Sequence, residues 1–147
     1  MLCSKALSIL MLAAVAAACS GPNAGNTAGG AARPAATAGG AHADAGERIY
    51  SGNCVPCHQP TGVGIPGVYP SLAGSPVVVG DPAELARWVI KGQRPASMPV
   101  GRYSTQMLQF GWLKPEDAAA LFSYLRSSFG NSAPPVDAAA VAQALGQ

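Results

Sequence analysis

The sequence has no apolar run of membrane-spanning length, almost no net charge once its leader is set aside, and only two histidines and four cysteines. Each shortage excludes something. The longest apolar stretch, Ala6–Ala18, has 13 residues, and a spanning helix needs about 20, so no transmembrane segment is predicted. Charged residues make up 11% of the chain. Removing residues 1–18 takes Lys5 from the nine Lys and Arg, leaving eight against seven Asp and Glu. That balance argues against a nucleic-acid partner, which would want a basic surface. Strand signals are missing too. The one β-branched run, Val77–Val79, is short and leads straight into a helix pattern, so the predicted class is all-α.

What the N-terminus does contain is a charged start, a short apolar core and small residues before a break, the pattern of a secretory signal over 1–18. There is no twin arginine, so export would be of the unfolded chain. The break, "AAAC" at Ala16–Cys19, resembles the lipobox of bacterial lipoproteins. That resemblance implies cleavage before Cys19 and acylation of its thiol; ordinary cleavage near Cys19 without a lipid is the other reading. Residues 20–43 are Gly, Ala, Pro, Asn and Thr with almost no large apolar side chain. They cannot bury enough surface to offset their ordering entropy. Residues 19–43 therefore read as a lipidated cysteine and flexible linker reaching about 25–30 Å, with His42 a solvated part of it.

The predicted folded domain spans 44–131, with 132–147 a Pro-broken tail holding one weak helix from about Asp137. Three helices are legible. The first covers 44–53, with Asp44 and Glu47 spaced as a capping box. The second covers 81–93: Asp81 caps it, Pro82 takes the first position and Gly92 ends it. The third covers 115–131, started by Pro115 and stopped by Gly130, with Glu116 and Asp117 at its positive end and Arg126 at its negative end. Between them lie loops 59–80 and 94–113. Loops of that length in a small domain need something to organise them.

Once Cys3 leaves with the leader and Cys19 carries lipid, only Cys54 and Cys57 remain, inside "CVPCH", residues 54–58. No disulfide framework can be built from them. A structural zinc ion wants four Cys or His ligands; here there are three, with His58 adjacent to Cys57, and the fourth would have to be His42 or a carboxylate. A thioredoxin-like redox pair follows a strand, whereas a helix pattern precedes Cys54. The third reading, C-x-x-C-H as a covalent haem attachment site, needs only what is present.

In that order of parts (helix, CxxCH, Pro/Gly loop, helix, methionine loop, helix) residues 44–131 resemble a class I c-type cytochrome. The stretch Phe110–Asn131 is similar to haem modules of cytochrome subunits in bacterial membrane dehydrogenases. The resemblance implies an all-α cytochrome c fold, three main helices with long loops around one haem c bound through Cys54 and Cys57, and His58 as the iron's proximal ligand. It implies that Pro70, 12 residues after His58, gives its carbonyl to the far histidine nitrogen, that Leu72 faces the haem edge, and that the first and last helices cross where Gly46 permits close approach. Trp88 and Trp112 are expected to line or cover the haem, and Arg94 and Arg102 to be solvated or paired with its propionates.

For the sixth ligand the resemblance favours Met107, eight residues before the last helix and 17 before Tyr124; Met98, followed by Pro99, is the rival. The implied function is electron transfer, not catalysis: a monohaem one-electron carrier on the periplasmic side of a bacterial membrane, held there by lipid. Its redox partners would be a quinol-oxidising complex or dehydrogenase as donor and an oxidase or reductase as acceptor. A fixed subunit of one such complex, and a haem sensor or peroxidase-like enzyme with a labile methionine, are the other readings.

Overall fold

The computed structural model describes residues 38–147 except Pro99, with the side chains of 38–42 outside that description. The expected leader (1–18), Cys19 and most of the linker lie outside the described residues. Those described are helical, with a single isolated bridge between Ile65 and Tyr69 and no strand. The elements are α1 (Ala38–Asn53), α2 (Val55–His58), α3 (Pro76–Val79), α4 (Pro82–Lys91), α5 (Pro115–Ser127) and α6 (Ala138–Leu145).

Local chemistry accounts for α4 completely. The Asp81 carboxylate accepts from the Ala83 amide at 2.9 Å, Pro82 opens the helix, and Gly92 closes it in the left-handed region, its amide reaching Arg87 and Trp88 carbonyls. The expected start of α1 is corrected. Asp44 is not a cap, because the helix begins at Ala38 and carries Asp44 and Glu47 as exposed interior residues. Ala41 and Ala43, strong helix formers, carry the helix back past Asp44 in spite of Gly39 and Gly40. At the other end of the chain, α5 stops at Ser127, four residues before the expected end. Phe129 and Gly130 then turn the chain with φ of 59° and 81°.

The core forms where α1 crosses α5. A Cβ on Gly46 would meet the Ala120 carbonyl oxygen and lie 2.6 Å from Tyr124 Cβ, so only glycine lets the two backbones approach this closely. Below the crossing Tyr50, Tyr124 and Phe129 pack ring against ring, with centroids 5.1–5.8 Å apart. Leu121 and Leu125 are buried beside them.

Residues 132–147, read from sequence as a tail, are packed. Val136, Val141 and Leu145 are buried, α6 lies on α4 and α5, and Lys91 Nζ donates to the Leu145 carbonyl at 2.5 Å. Arg126 was expected to serve the helix dipole. Instead it is buried, donating to the carbonyls of Val78 and Gly80 at 2.8 Å and of Pro134 at 2.7 Å. One guanidinium thus ties α3, the turn into α4 and the C-terminal segment together. Asn131 does the same for the long loop: its side chain accepts from the Gly74 amide and donates to the Leu72 and Leu125 carbonyls.

Candidate functional site

The CVPCH stretch continues the helical path of α1. The Cys54 amide reaches back to the Tyr50 carbonyl at 2.8 Å, and the Cys54 carbonyl accepts from the amides of Cys57 and His58 at 3.2 and 2.8 Å. Residues three and four apart in a helical turn share a face. The spacing therefore places Cys54, Cys57 and His58 side by side, and all three line one cleft of about 720 Å³, within the usual range for a ligand site. The chain leaves this turn through Gln59, at φ 64°, whose carbonyl accepts from the Tyr50 hydroxyl at 2.5 Å.

His58 is 7% exposed, and its Nδ1 lies 3.0 Å from the Pro70 carbonyl oxygen. A carbonyl only accepts, so Nδ1 carries the proton and Nε2 keeps a lone pair for a metal. Burial pushes the imidazole below its ordinary pKa, with the Pro70 bond opposing; a neutral ring is the form that ligates. Cys54 is buried and Cys57 half-buried, and the two are not joined to each other. Burial, then the neighbouring Cys57, pushes the Cys54 thiol up to about 11. Redox-active cysteines are shifted the other way, which argues against a thiol-redox site. Among the described residues, no three His, Cys, Asp or Glu side chains gather to hold a bare metal ion.

The loop after α4 lines the same cleft. Met98 and Met107 both line the cleft, as do Trp88, Arg94 and Phe110. The loop is fastened to α4 by the Phe110 amide, which donates to the Val89 carbonyl at 2.9 Å. Pro70 also lines the cleft, with Tyr69 beside it.

Two expected lining residues stand elsewhere. Leu72 is half-buried against the core and is not among the residues lining the cleft. Its amide donates to Gly62 and its carbonyl accepts from Asn131, which holds it on the core side of the loop. Trp112 is 63% exposed and sits edge-on to Phe110, which takes the inner position. Arg102 faces a shallower depression that shares Tyr69 and Tyr103 with the cleft. The sequence reading missed Tyr69, Tyr103 and Phe110 as wall residues. Phe110 had a signal, its place three residues after Met107; the two tyrosines had none. His42 belongs to α1, and its side chain lies outside the described residues.

The donor set fits a covalently held haem: two neighbouring thiols, an imidazole with a free Nε2, and soft thioethers lining the same cleft. Comparison with known proteins agrees. The cytochrome c family profile matches residues 43–129. The chain is 30% identical over 114 residues to the cytochrome c subunit of a quinone alcohol dehydrogenase from Gluconobacter oxydans (strain 621H), covering 72% of this chain and 23% of that subunit. It is 32% identical over 92 residues to cytochrome c-552 of Thermus thermophilus, covering 59% of this chain and 70% of the relative. A quinone alcohol dehydrogenase cytochrome c subunit from Gluconacetobacter polyoxogenes is 30% identical over 97 residues, of which this chain spans 19%. The chain thus spans about a quarter or less of the dehydrogenase subunits it matches.

Proposed function

Because the chain belongs to the cytochrome c family and carries haem c covalently, we propose that it is a monohaem one-electron carrier tethered on the periplasmic side of a bacterial membrane. The observation that carries this reading is the helical CVPCH turn, with His58 held by Pro70, lining one cleft together with two methionines. Bound there, the haem supplies an iron couple that exchanges one electron without chemistry on a substrate.

The chain's own residues do the rest. Cys54 and Cys57 would fix the group, and His58 Nε2 and the Met107 thioether would hold its iron; a neutral, soft thioether favours the ferrous form. Met98 then serves as adaptable wall, a use suited to its flexible side chain. The lipobox-like Ala16–Cys19 supports a lipid anchor. The donor is a dehydrogenase or quinol-oxidising complex and the acceptor an oxidase or reductase, met through small, short-lived interfaces.

A second reading has a specific support: the dehydrogenase relatives are subunits by name. In that case the chain serves one complex as a fixed component, and co-purification with that complex separates it from a shuttle. Absorption spectra of the periplasmically expressed protein beside Met107→Ala and Met98→Ala test the ligand and the carrier role together. Met107→Ala should become high-spin and Met98→Ala should not; the reverse result would reassign the ligand. Rapid carbon monoxide binding by the reduced wild type would favour a sensor or peroxidase-like protein instead.

A further inference from the structure

We infer that Gly64 is a positioning residue for the iron site: its bare Cα is the seat on which the Pro70 carbonyl rests while it holds His58 Nδ1. The inference rests on His58 being an iron ligand. Gly64 donates its amide to the His58 carbonyl at 3.0 Å, so it is bonded to the backbone of the very residue whose ring Pro70 engages. From Gly64 the chain makes a closed turn, with Ile65 and Tyr69 exchanging amide–carbonyl bonds at 2.9 and 2.8 Å. It returns so tightly that a Cβ on Gly64 would meet the Tyr69 carbonyl oxygen, and would lie 2.5 Å from the Pro70 carbonyl oxygen and 2.7 Å from its carbon.

The obstructing atoms are backbone, so they cannot swing aside as a side-chain tip would. The peptide that carries the acceptor must move. The neighbouring anchor, the Leu72 amide on the Gly62 carbonyl at 2.7 Å, holds the far side of the turn. Displacement therefore falls on the Tyr69–Ser71 peptides, and with them on the bond to His58. A shorter, straighter bond gives the ring more anionic character and makes it a stronger donor, favouring ferric iron. Loosening the bond raises the reduction potential.

A control stands three residues on. Gly67 has the same left-handed backbone, φ 75° against 67° at Gly64, but a Cβ there meets nothing within 4 Å. Alanine at either site suffers the same backbone strain; only at Gly64 does it reach Pro70. The haem-loaded mature protein is compared with Gly64→Ala, Gly67→Ala and Gly64→Asn, Asn being tolerant of the left-handed region while keeping the Cβ. The readouts are the reduction potential and the exchange rate of the His58 Nδ1 proton in the ferrous state.

Gly64→Ala and Gly64→Asn should shift the ferric-to-ferrous balance toward ferrous by roughly tenfold, taking as scale the smallest effect that loss of such a supporting bond has on metal affinity or activity. That is about 59 mV upward for one electron, with faster Nδ1 exchange. Gly67→Ala should leave both unchanged while lowering thermal stability. Equal potentials in Gly64→Ala and Gly67→Ala, or reversal of the effect by Asn, would overturn the assignment. His58→Ala that keeps wild-type low-spin iron would instead remove the ligand reading on which it rests.

Discussion

Replacing Gly46 by alanine puts a methyl group into the tightest contact of the fold, and the same substitution at Gly52, on the same helix, puts one into open space. At Gly46 the new Cβ would lie 2.6 Å from Tyr124 Cβ and against the Ala120 carbonyl. Neither atom can rotate away, so α1 and α5 must separate. Overpacking of this kind costs about 1–3 kcal/mol, and the unyielding neighbours argue for the upper half of that range. Against it stands the gain of about 1 kcal/mol from alanine over glycine inside a helix. The net expectation is a loss of about 1–2 kcal/mol, which for a domain of this size lowers the melting temperature by roughly 5–15 °C. Gly52 is exposed with nothing within 4 Å of its added Cβ. There only the propensity term acts, giving a gain of about 0.5–1 kcal/mol and a rise of a few degrees. Thermal unfolding of the haem-loaded protein, followed by far-ultraviolet circular dichroism, reads both. A melting temperature that rises in Gly46→Ala as it does in Gly52→Ala would refute the close crossing of α1 and α5.

Three other outcomes follow from the packing. Arg126→Ala strips three buried or half-buried carbonyls of their donor and should cost about 3 kcal/mol in denaturant unfolding; Arg126→Lys should not restore it, because an ammonium lacks the planar fork. Truncation after Asn131 removes Val136, Val141 and Leu145 from the core and should cost about 5 kcal/mol, seen as a lower urea midpoint and not merely as a shortened tail. Burial holds the Tyr50 hydroxyl at about 12, against 10 when unfolded. The folded state thus keeps a proton that the unfolded state loses, and stability should fall as pH rises from about 10 towards 12. Tyr50→Phe should flatten that part of the stability-against-pH curve; an unchanged slope would sink the assignment.

How much of this could be read from the sequence depended on whether the signal was local. Helix α4 was legible because Asp81, Pro82 and Gly92 each act within one turn of themselves. The haem turn was legible because Cys54, Cys57 and His58 act as a helical i, i+3, i+4 set. Pro70 came with the family resemblance, and its carbonyl oxygen lies 3.0 Å from His58 Nδ1. What stayed hidden depends on neighbours far along the chain. Arg126 looks like a surface cation, since no sequence pattern announces that its partners are the carbonyls of Val78, Gly80 and Pro134. The alanine-rich α6 looks weak because its stability is borrowed from α4 and α5. Leu72 came with the family resemblance, and Trp112 was expected to line or cover the haem. Residue type does not say which side of an irregular loop faces inward; the bonds from Leu72 to Gly62 and Asn131, and the inner seat of Phe110, decide that.

The crossing at Gly46 also sets an order of events. Helix α1 and the CVPCH turn are made early in synthesis, and α5, the surface that covers Tyr50, is made late. Contacts between such distant parts of a chain form slowly. Until they form, Tyr50 lacks the ring of Tyr124 and the later ring of Phe129. The long sequence separation of α1 and α5 therefore makes the aromatic cluster around Tyr50 a late-forming part of the fold, although Tyr50 itself is made with the first helix.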